Sequence, residues 1–438
     1  MEKSKIERLI ECLRMALSET EAKYNEVDIE RIALVVYDSM SSPGRVFHNV
    51  WHIFDVSQNL NGISVLAAIF HDVVYYQVDA GFRASVETFV NQVIITKNGK
   101  FTLIENNDDL YQKLLVLFDK KVGDELTIGN GLNEFLSAHI AINLLKGILD
   151  ENEILKIVAL IETTIPFRVK PIEKLEERLL KIGFNEETVL DICEKAVDFS
   201  NSDVSNFSGN DPKKFLNNTW DLISETNYSL RRGGENFTVV DYRVALYKTY
   251  SFFEILDPSL VFCRYKNYPN NERWETLNSG ATFNVEIGRK YLAVQLVSVA
   301  AIESIAELTG GNVPMSLIMG DIRRRDQKKI RMEDYLGEPI EKKNNINANL
   351  IVLFEEGRSH ESSFDMKGSP LSAYIYRSIG DSESDKIFIK AKEYFTGKIK
   401  AEELIKAYPR KVILRLIKAC AEVSSTRRAR LIHLQNSI

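Results

Sequence analysis

Phe47–Gln58, FHNVWHIFDVSQ, holds two of the chain's six histidines, His48 and His52. A third, His71, stands beside Asp72 in Leu66–Tyr76, LAAIFHDVVYY. Read as helix, the first stretch puts His48 and His52 one turn apart on one face, so that both can point at the same place. The second is a strongly apolar helix that ends on an imidazole and a carboxylate. It carries both into the interior, where an unpaired charge is costly. A bound cation removes that cost. Neutral imidazole with carboxylate suits a borderline or hard divalent ion such as Zn, Mn, Fe or Mg.

The helical period continues on both sides. Ile6, Ile10, Leu13 and Leu17 form one stripe, and Ile29–Met40 forms another that stops at Ser41-Ser42-Pro43-Gly44. The pattern predicts further helices over His48–Leu60, Ser64–Tyr76, Ala84–Val93, Leu110–Phe118, Gly131–Leu149 and Glu151–Thr164. It predicts others over Glu186–Ser202, Pro212–Tyr228, Val239–Leu256 and Asn284–Leu308. Lys97–Asn107 reads as a small hairpin or a loop, and LIVLFEE from Leu350 as a short strand. The expected class is all-α. A large helical unit spans residues 1–330, a charged linker 331–349, and a small, mostly helical module 350–438.

Composition narrows the function. The 438 residues carry a formal net charge of −6, which argues against a general nucleic-acid coat. Apolar content of 45% and charged content of 27% are those of a soluble globular protein. Cys12, Cys193, Cys263 and Cys420 lie too far apart in sequence for a metal knuckle or a C-x-x-C pair. The N-terminal stretch is amphipathic and charged, unlike a secretory signal. No uninterrupted apolar run reaches the roughly 18 residues of a membrane span. A cytoplasmic location is expected. The basic stretch Arg410–His433 could touch an acidic partner, though a solvated helix face is the default.

The motifs resemble those of the HD-domain metal-dependent phosphohydrolases, whose signature is H…HD…D. FHN-x-x-H-x-x-DV-x-Q is similar to the YHNxxHAxDVxQ motif of the cyclic-nucleotide phosphodiesterases in that superfamily. It is similar also to the R-x-Y-H-N-x-x-H of a bacterial group, with Arg45 in the matching position. Asp203-Val204-Ser205-Asn206 resembles the closing D-[IV]-x-N and supplies the distant aspartate. The resemblance implies an HD-type helical core and a divalent metal held by His52, His71, Asp72 and Asp203. It implies His48 as the proton donor to the leaving group and Asp72 as a bridge to a second cation. Arg45 could steady the phosphate. The implied activity is hydrolysis of a phosphoester, on a nucleotide or similar small molecule. The alternative is a regulatory protein of the same fold that holds metal or nucleotide without turnover. Tyr75 stands where the phosphodiesterases carry a further histidine, and the spacing from His52 to His71 is shorter than theirs, so cyclic nucleotides are not singled out. The Asn-Glu pair of the bacterial group is missing from VDAGFRAS.

The remaining features have plainer readings. His139, in FLSAHIAINLL, fits helix packing better than ligation, and Glu162, Thr163 and Thr164 fit structural roles better than site roles. The aromatic stripe of YRVALYKTYSFFEIL from Tyr242 reads as core. SLRRGGENF from Ser229 could cradle a phosphate at its Gly-Gly turn, a weak signal. No oligomeric state follows from the sequence.

Overall fold

The computed structural model describes residues 3–232, 237–320, 331–340, 343 and 345–438. The fold is all-α: the chain is 67% helical, with one small three-stranded sheet among the described residues. It divides into two compact units.

The first unit comprises Met1–Ser208 and Asp257–Ala281. Its helices are α1 (Lys5–Ser18), α2 (Glu26–Met40), α3 (Val50–Val56), α4 (Gly62–Phe70), α5 (Tyr76–Asp79) and α6 (Ala84–Val90). A hairpin follows, with β1 (Ile94–Lys97) antiparallel to β2 (Lys100–Leu103), then α7 (Asp109–Leu117) and the short β3 (Glu125–Leu126) on β2. The unit continues with α8 (Leu132–Leu145), α9 (Glu151–Thr163), α10 (Pro171–Lys181) and α11 (Glu186–Asp203). Starts are set by side-chain caps. Ser4 with Glu7 and Asn25 with Asp28 form capping boxes, and Asp150 and Asn185 cap α9 and α11.

Every residue of α4, GISVLAAIF, is buried. A helix apolar all round belongs in the middle of its unit. α4 packs against α1, α8, α9 and α11. This is the element that delivers His71 and Asp72 to the interior.

The second unit comprises Gly209–Leu256 and Thr282–Ile438. It contains α12 (Pro212–Thr226), α13 (Val239–Ile255), most of α14 (Asn271–Leu308) and α15 (Met315–Met319). It ends with α16 (Ala348–Glu355), α17 (Pro370–Ile379), α18 (Asp381–Phe395), α19 (Ala401–Ile405), α20 (Arg410–Val423) and α21 (Arg428–Ser437). Among the described residues α14 alone is long and apolar enough to cross a membrane. Its most apolar window is 83% buried, as in a core helix.

Several expectations change. The division falls at Ser208–Gly209, with 257–281 returning to the first unit, and not near residue 330. LIVLFEE is the body of α16, not a strand; Asn347 caps it, and Leu350, Ile351, Leu353 and Phe354 are buried at helical spacing. The expected linker is not wholly solvated. Met332 and Leu336 are buried, and the Arg415 guanidinium donates to the Leu336 carbonyl at 2.6 Å. The charged run 321–330 and the Gly-Gly turn at 233–234 lie outside the described residues. Of the basic C-terminal residues, Arg427 is structural. It donates to the carbonyls of Ala306 (2.8 Å) and Gly311 (2.7 Å), satisfying acceptors left at the end of α14.

Candidate metal centre

Four of the sequence-predicted side chains meet in the first unit. His52 Nε2 stands 3.0 Å from Asp203 Oδ1 and 3.8 Å from Asp72 Oδ2. His71 Nε2 stands 3.1 Å from Asp72 Oδ2 and 3.4 Å from Asp203 Oδ1. Ligand atoms of His52, His71 and Asp72 all lie within 4.8 Å of one another, and Asp203 lies against the two imidazoles. Neighbouring ligands on one ion with bonds of about 2.1 Å stand about 3.0–3.4 Å apart, which is the spacing of the closest pairs here. All four side chains are largely withdrawn from solvent, the histidines most of all.

They arrive from three helices. α3 begins after Asn49, whose side chain accepts from the Trp51 N–H at 2.9 Å. His52 then shares the buried face of Val50, Ile53 and Val56. His71 ends α4, and Asp72 follows it into the loop. Asp203 is the last residue of α11, and the turn before it is anchored twice. Ser202 Oγ donates to the Val56 carbonyl at the end of α3 (2.7 Å). Asn201 exchanges two hydrogen bonds with the Cys263 backbone, at 2.9 and 2.6 Å.

The donor set fits a cation. His71 Nδ1 lies 2.8 Å from the Ala68 carbonyl, so it carries the proton and donates it there. Nε2 of the neutral ring is then a lone pair, and it faces two carboxylate oxygens. It is buried with no properly oriented hydrogen-bond partner. Only positive charge resolves three acceptors turned on one another. With a proton as that charge, burial disfavours the His71 imidazolium, but Asp72 and Asp203 outweigh it and hold its pKa well above the usual value. Burial acts on the two carboxyls in the opposite sense, and the facing histidines still hold both well below the usual carboxylate range.

His48 is beside the cluster but not on the helix. It precedes the Asn49 cap, so the expected one-turn relation to His52 does not exist. The backbone bend brings the rings together anyway, with centroids 5.4 Å apart, and the Tyr75 ring lies 4.5 Å from that of His48. The positive charge of His48 acts on Asp72.

Arg45 does something other than steady phosphate. Its guanidinium is fully buried and grips Asp79 through Nε (3.0 Å) and Nη2 (2.6 Å). Nη1 donates to the Asp72 carbonyl (2.6 Å) and Nη2 to the Val73 carbonyl (3.2 Å). Arg45 therefore clamps the backbone that carries Asp72, and its donors are committed. Glu162 likewise turns away from the cluster into ion pairs with Arg168 (2.6 Å) and Arg178 (3.0 Å). Thr163 and Thr164 donate to carbonyls of their own helix. His139 is a packing histidine near Gln92 and Asn143.

Sequence reasoning missed Glu134. It sits in the first turn of α8, and its Oε2 is buried with no hydrogen-bond partner among the described residues. Burial, then the charges of Asp72 and Asp203, push its carboxyl up to about 7. The only signal was a carboxylate in the first turn of a mostly apolar helix, which ordinarily marks no more than a helix start.

The chain was compared with protein-family models, curated proteins and solved structures, and nothing matches.

Proposed function

We propose that this chain is an HD-type, metal-dependent hydrolase of a phosphoester, acting on a nucleotide or related small molecule. The observation that carries the reading is the buried lone pair of His71 Nε2 facing Asp72 and Asp203, with His52 closing the group. His52, His71, Asp72 and Asp203 would hold the cation. A divalent ion there supplies Lewis acidity toward phosphate oxygens and makes water acidic enough to ionise near neutral pH.

The chain's own groups do the rest. His71 is fixed in one tautomer by the Ala68 carbonyl, so its ligating nitrogen needs no reorganisation. Arg45 holds the Asp72 backbone in place. His48, against His52 and Tyr75, is the proton donor to the departing oxygen.

Metal analysis of the purified chain, joined to a phosphoester and nucleotide screen, tests this. The wild type is expected to carry a divalent ion and to turn over at least one ester. His71→Ala and Asp203→Ala are expected to lose both. His48→Ala keeps the ion and slows by about 100-fold or more on esters with poor leaving groups. A wild type that binds no divalent ion ends the reading. Wild-type rates for His48→Ala on such esters remove the donor role alone.

A further inference from the structure

His48 precedes the cap of α3, so no helix sets the direction of its ring. Neighbouring rings do. The centroids of Tyr75, Phe47 and His52 lie 4.5, 4.8 and 5.4 Å from that of His48, inclined to it at 60°, 80° and 81°. These are separations and tilts at which aromatic pairs attract. His52 belongs to the cation site, and Phe47 is the adjacent residue in the chain. Tyr75 comes from another segment, three residues after Asp72, and is the nearest of the three.

The place of Tyr75 is itself fixed from both sides. The Val74 N–H donates to Ser137 Oγ at 3.0 Å and the Tyr76 N–H to Asn133 Oδ1 at 3.1 Å, so α8 holds the backbone before and after it. The Arg45 guanidinium carbon stands 5.7 Å from the centroid of the Tyr75 ring, within cation–π range. Arg45 also donates to the Asp72 and Val73 carbonyls, and its Nη1 stands 3.4 Å from the His48 carbonyl oxygen. One buried guanidinium thus joins the two segments that carry the ring pair. Tyr75 occupies the N-cap position of α5, where Ser, Thr, Asp or Asn would satisfy the first N–H groups; its side chain makes no such bond. The aromatic residue does not serve the helix it opens, and its ring is packed on His48 instead.

We propose that Tyr75 is a positioning residue, whose ring holds the His48 imidazole in the orientation from which it protonates the departing oxygen. As the P–O bond to the leaving group breaks, its electron pair goes to the leaving oxygen, which takes the proton of His48. Tyr75 gives up no proton and makes no bond to the substrate. Proton transfer needs donor and acceptor within hydrogen-bond reach, so a His48 ring released from its place costs rate only where the leaving group needs the proton. The inference rests on the hydrolase reading above and adds to it the group that aims the donor.

The test uses the full chain with Zn2+ and two esters of like shape. Bis(p-nitrophenyl) phosphate has a leaving group that departs unprotonated; diphenyl phosphate has a more basic one that gains from the proton. Tyr75→Leu is expected to bind Zn2+ and cleave the nitrophenyl ester within about threefold of the wild type, and to cleave diphenyl phosphate at least about 30-fold more slowly. Tyr75→Phe keeps the ring and is expected to match the wild type on both esters. NMR relaxation of 13Cε1-labelled histidine gives a reading that needs no turnover, with the His48 signal identified by its loss in His48→Ala. The His48 order parameter is expected near about 0.85 in the wild type and Tyr75→Phe, and below about 0.6 in Tyr75→Leu. Equal slowing of Tyr75→Leu on both esters, or its loss of Zn2+, would make Tyr75 a support of the fold and overturn the proposal. So would a Tyr75→Phe as slow as Tyr75→Leu, or a His48 ring already mobile in the wild type. A wild type that binds Zn2+ but cleaves neither ester counts against the hydrolase reading. The holding of the His48 ring is then decided by the order parameter alone, and a value unchanged in Tyr75→Leu overturns it.

Discussion

Arg45 shows how burial decides what a cationic side chain does. In an exposed loop a guanidinium next to a histidine pair would be free to meet a phosphate. Here it is closed off from solvent and fully engaged by Asp79 and the carbonyls of Asp72 and Val73. Removing one partner of a buried ion pair leaves the other charge uncompensated, a loss of about 3–5 kcal/mol. Arg45→Met is therefore expected to lower unfolding stability in urea by about that amount, and to weaken metal affinity because the Asp72 backbone loses its clamp. A phosphate-binding arginine would behave differently. Its loss would leave stability within about 0.5 kcal/mol and raise KM instead.

Helix α8 carries a buried histidine and a partly buried carboxyl that respond to pH in opposite senses. The Glu134 carboxyl is raised from 4.5 to about 7 by burial and then by Asp72 and Asp203. Its folded value lies above the unfolded one. The stability it contributes is full below pH 4.5 and is lost as pH rises through about 7. His139 is lowered from 6.5 to about 4, chiefly by burial, against a small opposing pull from Asp108. Its contribution is full above pH 6.5 and is lost as pH falls through about 4. Each effect is on the order of 3 kcal/mol, so in the wild type the two largely offset. Glu134→Gln removes one of them. The metal-free variant is expected to gain thermal stability relative to the wild type as pH rises from 4.5 to 6.5, the window in which both groups titrate in the unfolded chain. Parallel melting curves for the two proteins across that range would contradict the account.

The centre depends on chain segments far apart in sequence. The return of residues 257–281 to the first unit places the Cys263 backbone where Asn201 can exchange two hydrogen bonds with it, two positions before Asp203. Tyr265 from the same return is buried in the unit's core, and Tyr268 donates to Asp198 at 2.6 Å. Asn201→Ala is expected to lose about 1–3 kcal/mol, since it strands two backbone groups of Cys263. It should also weaken Mn2+ binding, read by calorimetry, because the end of α11 loses one of its two anchors. Lost stability with unchanged Mn2+ affinity would mean that the Ser202–Val56 bond alone positions Asp203.

The short-range information in the chain was enough for the elements that bury one continuous apolar face. α1, α2, α9, α11 and α13 lie within a few residues of where the apolar period puts them, because that period and the capping residues act locally. The same local reasoning singled out His52, His71 and Asp72, since a histidine and an aspartate at the end of a fully apolar helix need a partner wherever the helix goes; Asp203 was named only through the resemblance to the H…HD…D motif. It failed where the deciding partner was distant. LIVLFEE is rich in β-branched and aromatic residues, yet it is a helix capped by Asn347, because packing of its buried face outweighs strand propensity. Arg45 and Glu134 were misjudged or missed for one shared reason: a charged side chain's role is set by what surrounds it. Asp79 lies 34 positions from Arg45, and Ser137, which helps seat α8, bonds Val74 from 63 positions away. Local sequence carries the period of an element and the chemistry of its ends. Which charges share a dry interior is decided only when the tertiary fold removes the water between them.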